Sequence, residues 1–180
     1  PRSHRRQNDR RLKRRERLLA DLVINGLMPP TGPERDALFL ENPYELRARA
    51  VREPATLHQL GRAIWHISKH RGFQSNRRAD KDPDESGKIA TGSRALQTML
   101  DDQGHPSYGA FLWSRRENGE WARIRLQGSG AKASYDFYPT RVVLQAEFDK
   151  IWQVQEQHHH ELTEGLRQRI RETVFHQRPL

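Results

Sequence analysis

The sequence contains no cysteine, which excludes a disulfide framework, a thiolate metal site and a cysteine nucleophile. It has no apolar run approaching the roughly 18 to 20 residues of a membrane span, and its basic start lacks the apolar stretch of a secretory signal. The expected compartment is the cytoplasm, with no membrane partner. Apolar residues are scarce, 34% against 31% charged with a mean hydropathy of −1.00, so the 180 residues should build a thin core and an elongated body. No Walker loop and no serine at a nucleophile elbow is present. Glycine is missing before Gly26 and proline between Pro1 and Pro29, so the opening of the chain is unbroken. A start at Pro1, without Met, reads as a piece of a longer polypeptide.

That unbroken opening is a run of arginine. Arg2, Arg5, Arg6, Arg10, Arg11, Lys13, Arg14, Arg15 and Arg17 face only Asp9 and Glu16, so the first nineteen residues carry +7 of the chain's +9. Arg, Leu, Lys and Glu favour helix, and one helix is expected to about Ile24. Arg6, Arg10, Arg14 and Arg17 then stack on one face. Repulsion at i, i+4 costs roughly 0.2–0.5 kcal/mol per pair, which a polyanion lying along the row relieves. Charge runs are more often solvated faces or disordered arms. Three features favour a nucleic-acid backbone instead. Arginine outnumbers lysine 26 to 6, and guanidinium grips phosphate bidentately. The composition is helical, and the run passes directly into the apolar Leu18, Leu19, Leu22, Val23, Ile24 and Leu27.

Gly26 and Pro29-Pro30-Thr-Gly32-Pro33 read as a hinge or loop. Asn42-Pro43 opens a short helix that stops before Pro54, and Thr56 with Gln59 opens another from Leu57 to about Arg71, with Leu60, Ile64 and Ile67 inward. Gly72 ends it. The segment Phe73-Gln-Ser-Asn76-Arg77-Arg78 has two open readings, a base-stacking and phosphate-binding strip or a helix C-cap whose apolar contact is Phe73. Residues 80 to 92 form an acidic loop. Short helices follow over 94–103 and around Tyr108, Phe111 and Leu112. Alternation about Gly128-Ser-Gly130 predicts a β-hairpin. Two helices close the chain, one from Pro139-Thr140 with Leu144, Phe148, Ile151 and Trp152, the other from Leu162 to Phe175. The fold class is mainly α with one small β-hairpin, and no internal repeat is visible.

Other chemistry is not supported. Gly128 to Ala133 fits a dinucleotide fingerprint in letters, but a strand follows where a helix N-terminus is needed. Asp80, Asp82 and Asp84 begin a calcium loop that lacks its Gly and its closing Glu. His66 and His70 share a helix face without the metalloprotease glutamate, and three consecutive histidines at 158–160 cannot converge on one ion. His66 is expected in the core and His70 at the surface or against RNA. The expected cofactor is none.

The arginine-rich helix, Tyr44-Glu-Leu-Arg-Ala-Arg-Ala50, Lys69-His-Arg-Gly-Phe-Gln-Ser-Asn-Arg77, the segment Tyr135 to Arg141 leading to Glu147-Phe148, and Phe175-His-Gln-Arg-Pro-Leu180 follow one another in an order that resembles type II CRISPR-associated RNA-guided DNA endonucleases, in particular the II-C branch. The resemblance implies a bridge helix at residues 1–28 and a helical recognition-lobe domain at 29–180, without a nuclease domain. It implies a non-catalytic, prokaryotic antiviral-defence module whose partners are guide RNA (crRNA and tracrRNA), the target DNA strand in the heteroduplex and the rest of the polypeptide. Mg2+ would serve only the parent's nuclease domains. Base pairing reads sequence in such systems, and protein holds backbone. Arg5, Arg6, Arg10, Arg11, Arg14, Arg15 and Arg17 take the bridge role by position. His70, Arg71, Phe73, Asn76, Arg77 and Arg78 are candidate guide-RNA contacts, and Arg141 a further one beside the hairpin. The alternative is a protein-interaction module whose basic stripe takes an acidic partner such as a phage-encoded anti-CRISPR inhibitor.

Overall fold

A computed structural model describes residues 2–72, 94–122, 126–127, 134–135 and 139–176. Its first element, α1 (Arg2–Ile24), is the long arginine-rich helix. Then come α2 (Pro33–Leu40), α3 (Pro43–Ala50), α4 (Leu57–Lys69), α5 (residues 94–102), α6 (Tyr108–Glu117), α7 (Arg141–Gln155) and α8 (Glu164–Phe175). Between α6 and α7, β1 (Leu126–Gln127) and β2 (Ser134–Tyr135) pair antiparallel, Leu126 opposite Tyr135. Of the rest of the expected hairpin, Trp121 and Ala122 are not in a strand, and the remainder lies outside the described residues. No described helix is long and apolar enough to cross a membrane. The fold is mainly α.

One helix was not anticipated. The proline cluster reads as loop throughout, yet Pro33 occupies the first turn of α2, where its missing N–H has no intrahelical partner to lose. The last helix begins at Glu164 rather than Leu162, because the Thr163 hydroxyl accepts from the Leu166 N–H at 3.2 Å and caps it there.

At the centre of the fold is α4. Thr56 and Gln59 form a reciprocal capping box at its start. Every residue from Leu60 to Ser68 is buried, and α4 packs against α1, α2, α3, α7 and α8. Gly61 permits this: a Cβ there would fall 1.6 Å from the Leu27 carbonyl oxygen. Leu60, Ile64 and Ile67 meet Leu18 and Leu22 of α1, Leu144, Phe148, Ile151 and Trp152 of α7, and Ile170 and Val174 of α8 in one continuous core.

A charged knot ties four helices together inside this core. Arg47 of α3 donates from Nε and Nη2 to the two carboxylate oxygens of Glu147 on α7, each at 2.7 Å. The Gly109 N–H of α6 donates to the same carboxylate at 3.0 Å. Arg47 Nη1 reaches His66 Nδ1 of α4 at 3.2 Å. Burial first, then the neighbouring Arg47 cation, holds the His66 imidazole down to about 2, so the ring is neutral and Nδ1 accepts. Gly109 belongs to the knot, since its Cβ would meet Glu147 Oε1 at 2.4 Å.

Candidate nucleic-acid interface

Two halves of α1 have different surroundings. Its C-terminal half is docked: Leu18 and Leu22 are fully buried, Thr173 donates to Asp21 at 3.4 Å, and Arg169 donates to the Asn25 side chain at 3.1 Å, both from α8. The N-terminal half faces outward. Arg5, Arg6, Arg10, Arg11, Lys13 and Arg17 are exposed, and Arg14 and Arg15 are half-buried at the junction. Among the described residues, none of these eight cations is ion-paired to a carboxylate. Arg2 is the first residue of the helix.

At the junction the chain gathers further cations. Gly72 follows α4 with φ +82, and a Cβ on it would lie 2.5 Å from the Thr140 carbonyl oxygen. Only glycine brings the two segments this close, and the approach sets Arg71 beside Arg141 at the start of α7. Burial, followed by the charges of Arg71, Arg15 and Arg11, lowers Arg14 to about 10. Burial and then Arg141 and Arg11 lower Arg71, and burial and then Arg14 lower Arg141. Lys69 is lowered by burial, Arg62 and Arg15. Among the described residues, no carboxylate contributes to any of these four shifts.

What braces this cluster is the backbone. Arg14 Nη2 lies 3.5 Å from the Ser68 carbonyl at the end of α4. Arg71 donates to the His176 carbonyl, and Arg141 donates to the Phe175 carbonyl at 3.2 Å, both at the end of α8. Helix C-termini carry partial negative charge and unmatched carbonyls, so they orient guanidinium groups without neutralising them.

Of the sequence-derived candidates, the structure groups Arg11, Arg14 and Arg15 with Arg71 and Arg141, leaves Arg5, Arg6, Arg10, Lys13 and Arg17 on the outward face, and places His70 exposed with its ring 5.3 Å from His66. Arg141 is buried at 9% exposure against the end of α8. Phe73, Asn76, Arg77 and Arg78 lie outside the described residues, as do Gln177 to Leu180. Lys69 was missed, although it directly precedes two named candidates and the charge run was legible. No described group of three or more His, Asp or Glu side chains is placed to hold a metal.

No family model and no curated protein matches the sequence. Solved structures do match. Campylobacter jejuni Cas9 in complex with sgRNA and target DNA superposes with a TM-score of 0.72 at 22% identity, over 99% of this chain and 24% of that one. The St1Cas9–sgRNA–tDNA20–AcrIIA6 assembly gives 0.72 at 21% identity, over 98% and 20%. Streptococcus thermophilus Cas9 in complex with the AGAA PAM gives 0.67 at 19%, over 98% and 14%. The chain thus spans a quarter or less of the length of these proteins, and its fold is that of one segment of Cas9.

Proposed function

We propose that the chain is the bridge helix and first part of the recognition lobe of an RNA-guided DNA endonuclease, and that it binds guide RNA and the guide–target heteroduplex without performing covalent chemistry. The observation that carries this reading is the outward face of α1, whose arginines have no carboxylate partner among the described residues. Support also comes from the shared fold, since the matched Cas9 chains are complexes with sgRNA and DNA. In this reading residues 1–28 are the bridge and 29–180 the lobe. Arg5, Arg6, Arg10, Lys13 and Arg17 hold backbone phosphates, while Arg11, Arg14, Arg15 and Arg71 form the inner end of the row, beside exposed His70. Arginine suits the task because two parallel N–H donors match two phosphate oxygens.

The test is the double variant Arg6→Ala with Arg10→Ala, both exposed and outside the core. RNA affinity should fall at least tenfold while helicity and Tm stay at the wild-type values. A double variant that binds RNA normally would remove the proposal. A second reading, in which the stripe binds an acidic protein, is favoured by the St1Cas9 assembly with AcrIIA6. It requires tight binding of such a protein in the absence of RNA, lost in the same variant.

A further inference from the structure

A second line of cations runs along α4. Arg62, Trp65 and Lys69 recur at i, i+3 and i+7 and share a helix face. Lys69 is exposed, its Nζ lies 5.6 Å above the Trp65 ring, and it is within electrostatic reach of both Arg62 and Arg15 of α1. Arg62 is about 10 Å further along, two helical turns away.

Arg62 is an unusual member of this line. It is 7% exposed, with its guanidinium carbon 4.9 Å from the centre of the Phe39 ring. The hydrogen bond it makes is long, Nη2 to the Phe39 carbonyl at 3.5 Å. Nε and Nη1 have no hydrogen-bond partner among the described residues. Glu41 is near enough to favour the charged form, but its Oε2 already accepts from Gln59 at 2.9 Å. A buried cation with two unmatched nitrogens is costly, and such a group calls for an anion or ordered solvent. Its cover is Phe39, a half-buried side chain on the eight-residue α2.

We propose that Arg62 is a further phosphate-binding residue, reached by the same nucleic-acid backbone as it runs from α1 past Arg15 and Lys69 along α4, once the Phe39 ring turns aside. This rests on the nucleic-acid reading of α1. A guanidinium at the far end of the lane fixes the strand's direction, because a bidentate contact orients phosphate where the Lys69 ammonium only attracts it.

The experiment measures binding of the full chain to a fluorescein-labelled single-stranded RNA of about 20 nucleotides across a salt series, for wild type, Arg62→Ala, Arg62→Lys and Phe39→Ala, with Tm recorded for each. Arg62→Ala should weaken binding about fivefold at 0.1 M salt and lower the slope of log K against log salt by about 0.7, the share of one phosphate on a single strand. Arg62→Lys should restore the slope, and Phe39→Ala, with all cations kept, should bind at least as tightly as wild type. If Arg62→Ala fails to fold, Arg62→Gln keeps the stem and decides by the same slope. An unchanged slope on loss of the Arg62 charge overturns the extension of the lane. Wild-type chain that binds no RNA defeats the proposed function instead, so the two failures are distinguishable.

Discussion

At the scale of single residues, the consequential pair is Arg47 and Glu147. Both side chains are excluded from water, at 1% and 0% exposure, so removing one partner leaves an uncompensated charge in the core. Glu147→Ala is expected to destabilise the chain by about 3–5 kcal/mol, read as a shift of the urea midpoint, whereas exchanging both for apolar side chains of similar volume should cost much less. His66 supplies a pH dependence of definite sign. Its folded value of about 2 lies below the ordinary 6.5, so between these values the unfolded chain binds a proton that the folded chain refuses. Stability from this group is complete above pH 6.5 and falls as the pH drops, by about 2 kcal/mol at pH 5. Arg47, His70, Arg62 and Lys69 all act in the same direction on the ring. His66→Gln should flatten the urea midpoint between pH 7 and 5; an equally steep profile in the variant would assign the effect elsewhere. Of this, only the burial of His66 was legible in the sequence. Arg47 and Glu147 are 100 residues apart, each an ordinary member of its helix, and nothing local marks them as partners.

At the scale of elements, the helices that were legible are those whose signals are local. The arginine row of α1, the Thr56–Gln59 box and the apolar spacing on α4, α7 and α8 all depend on neighbours within a turn or two. The missed α2 had the opposite problem, because a proline that reads as a breaker sits in the one turn that tolerates it. Close approaches were invisible for a different reason: Gly61, Gly72 and Gly109 look like any helix or loop glycine until the backbone or carboxylate they admit is in place. Gly72 links packing to the candidate binding face. Gly72→Ala would force a side chain into left-handed backbone, at about 1–2 kcal/mol, and press it on Thr140, parting Arg71 from Arg141. Lower Tm together with weaker RNA binding is expected from that variant. Weaker Tm alone would show that the approach serves only the core.

At the scale of the molecule, the arrangement is a cationic helix anchored at one end, with cations at the other that form no ion pair with a carboxylate among the described residues. The buried half of α1 fixes its direction through α4 and α8, and the carbonyl ends of those two helices hold the innermost guanidinium groups. The site was half legible. The run of charge along α1 was plain in the sequence, but the gathering of Arg14, Arg71 and Arg141 depends on three segments distant in sequence. Nucleic acid bound to such a face would displace counterions, so ionic strength is the most direct probe of the proposal. With six or more phosphates neutralised on a single strand, the RNA affinity of the chain should fall by about 300-fold or more between 50 and 200 mM salt, with log K linear in log salt. Affinity that holds steady across that range would contradict the claim that an unneutralised row of arginine on α1 is what the chain uses to bind.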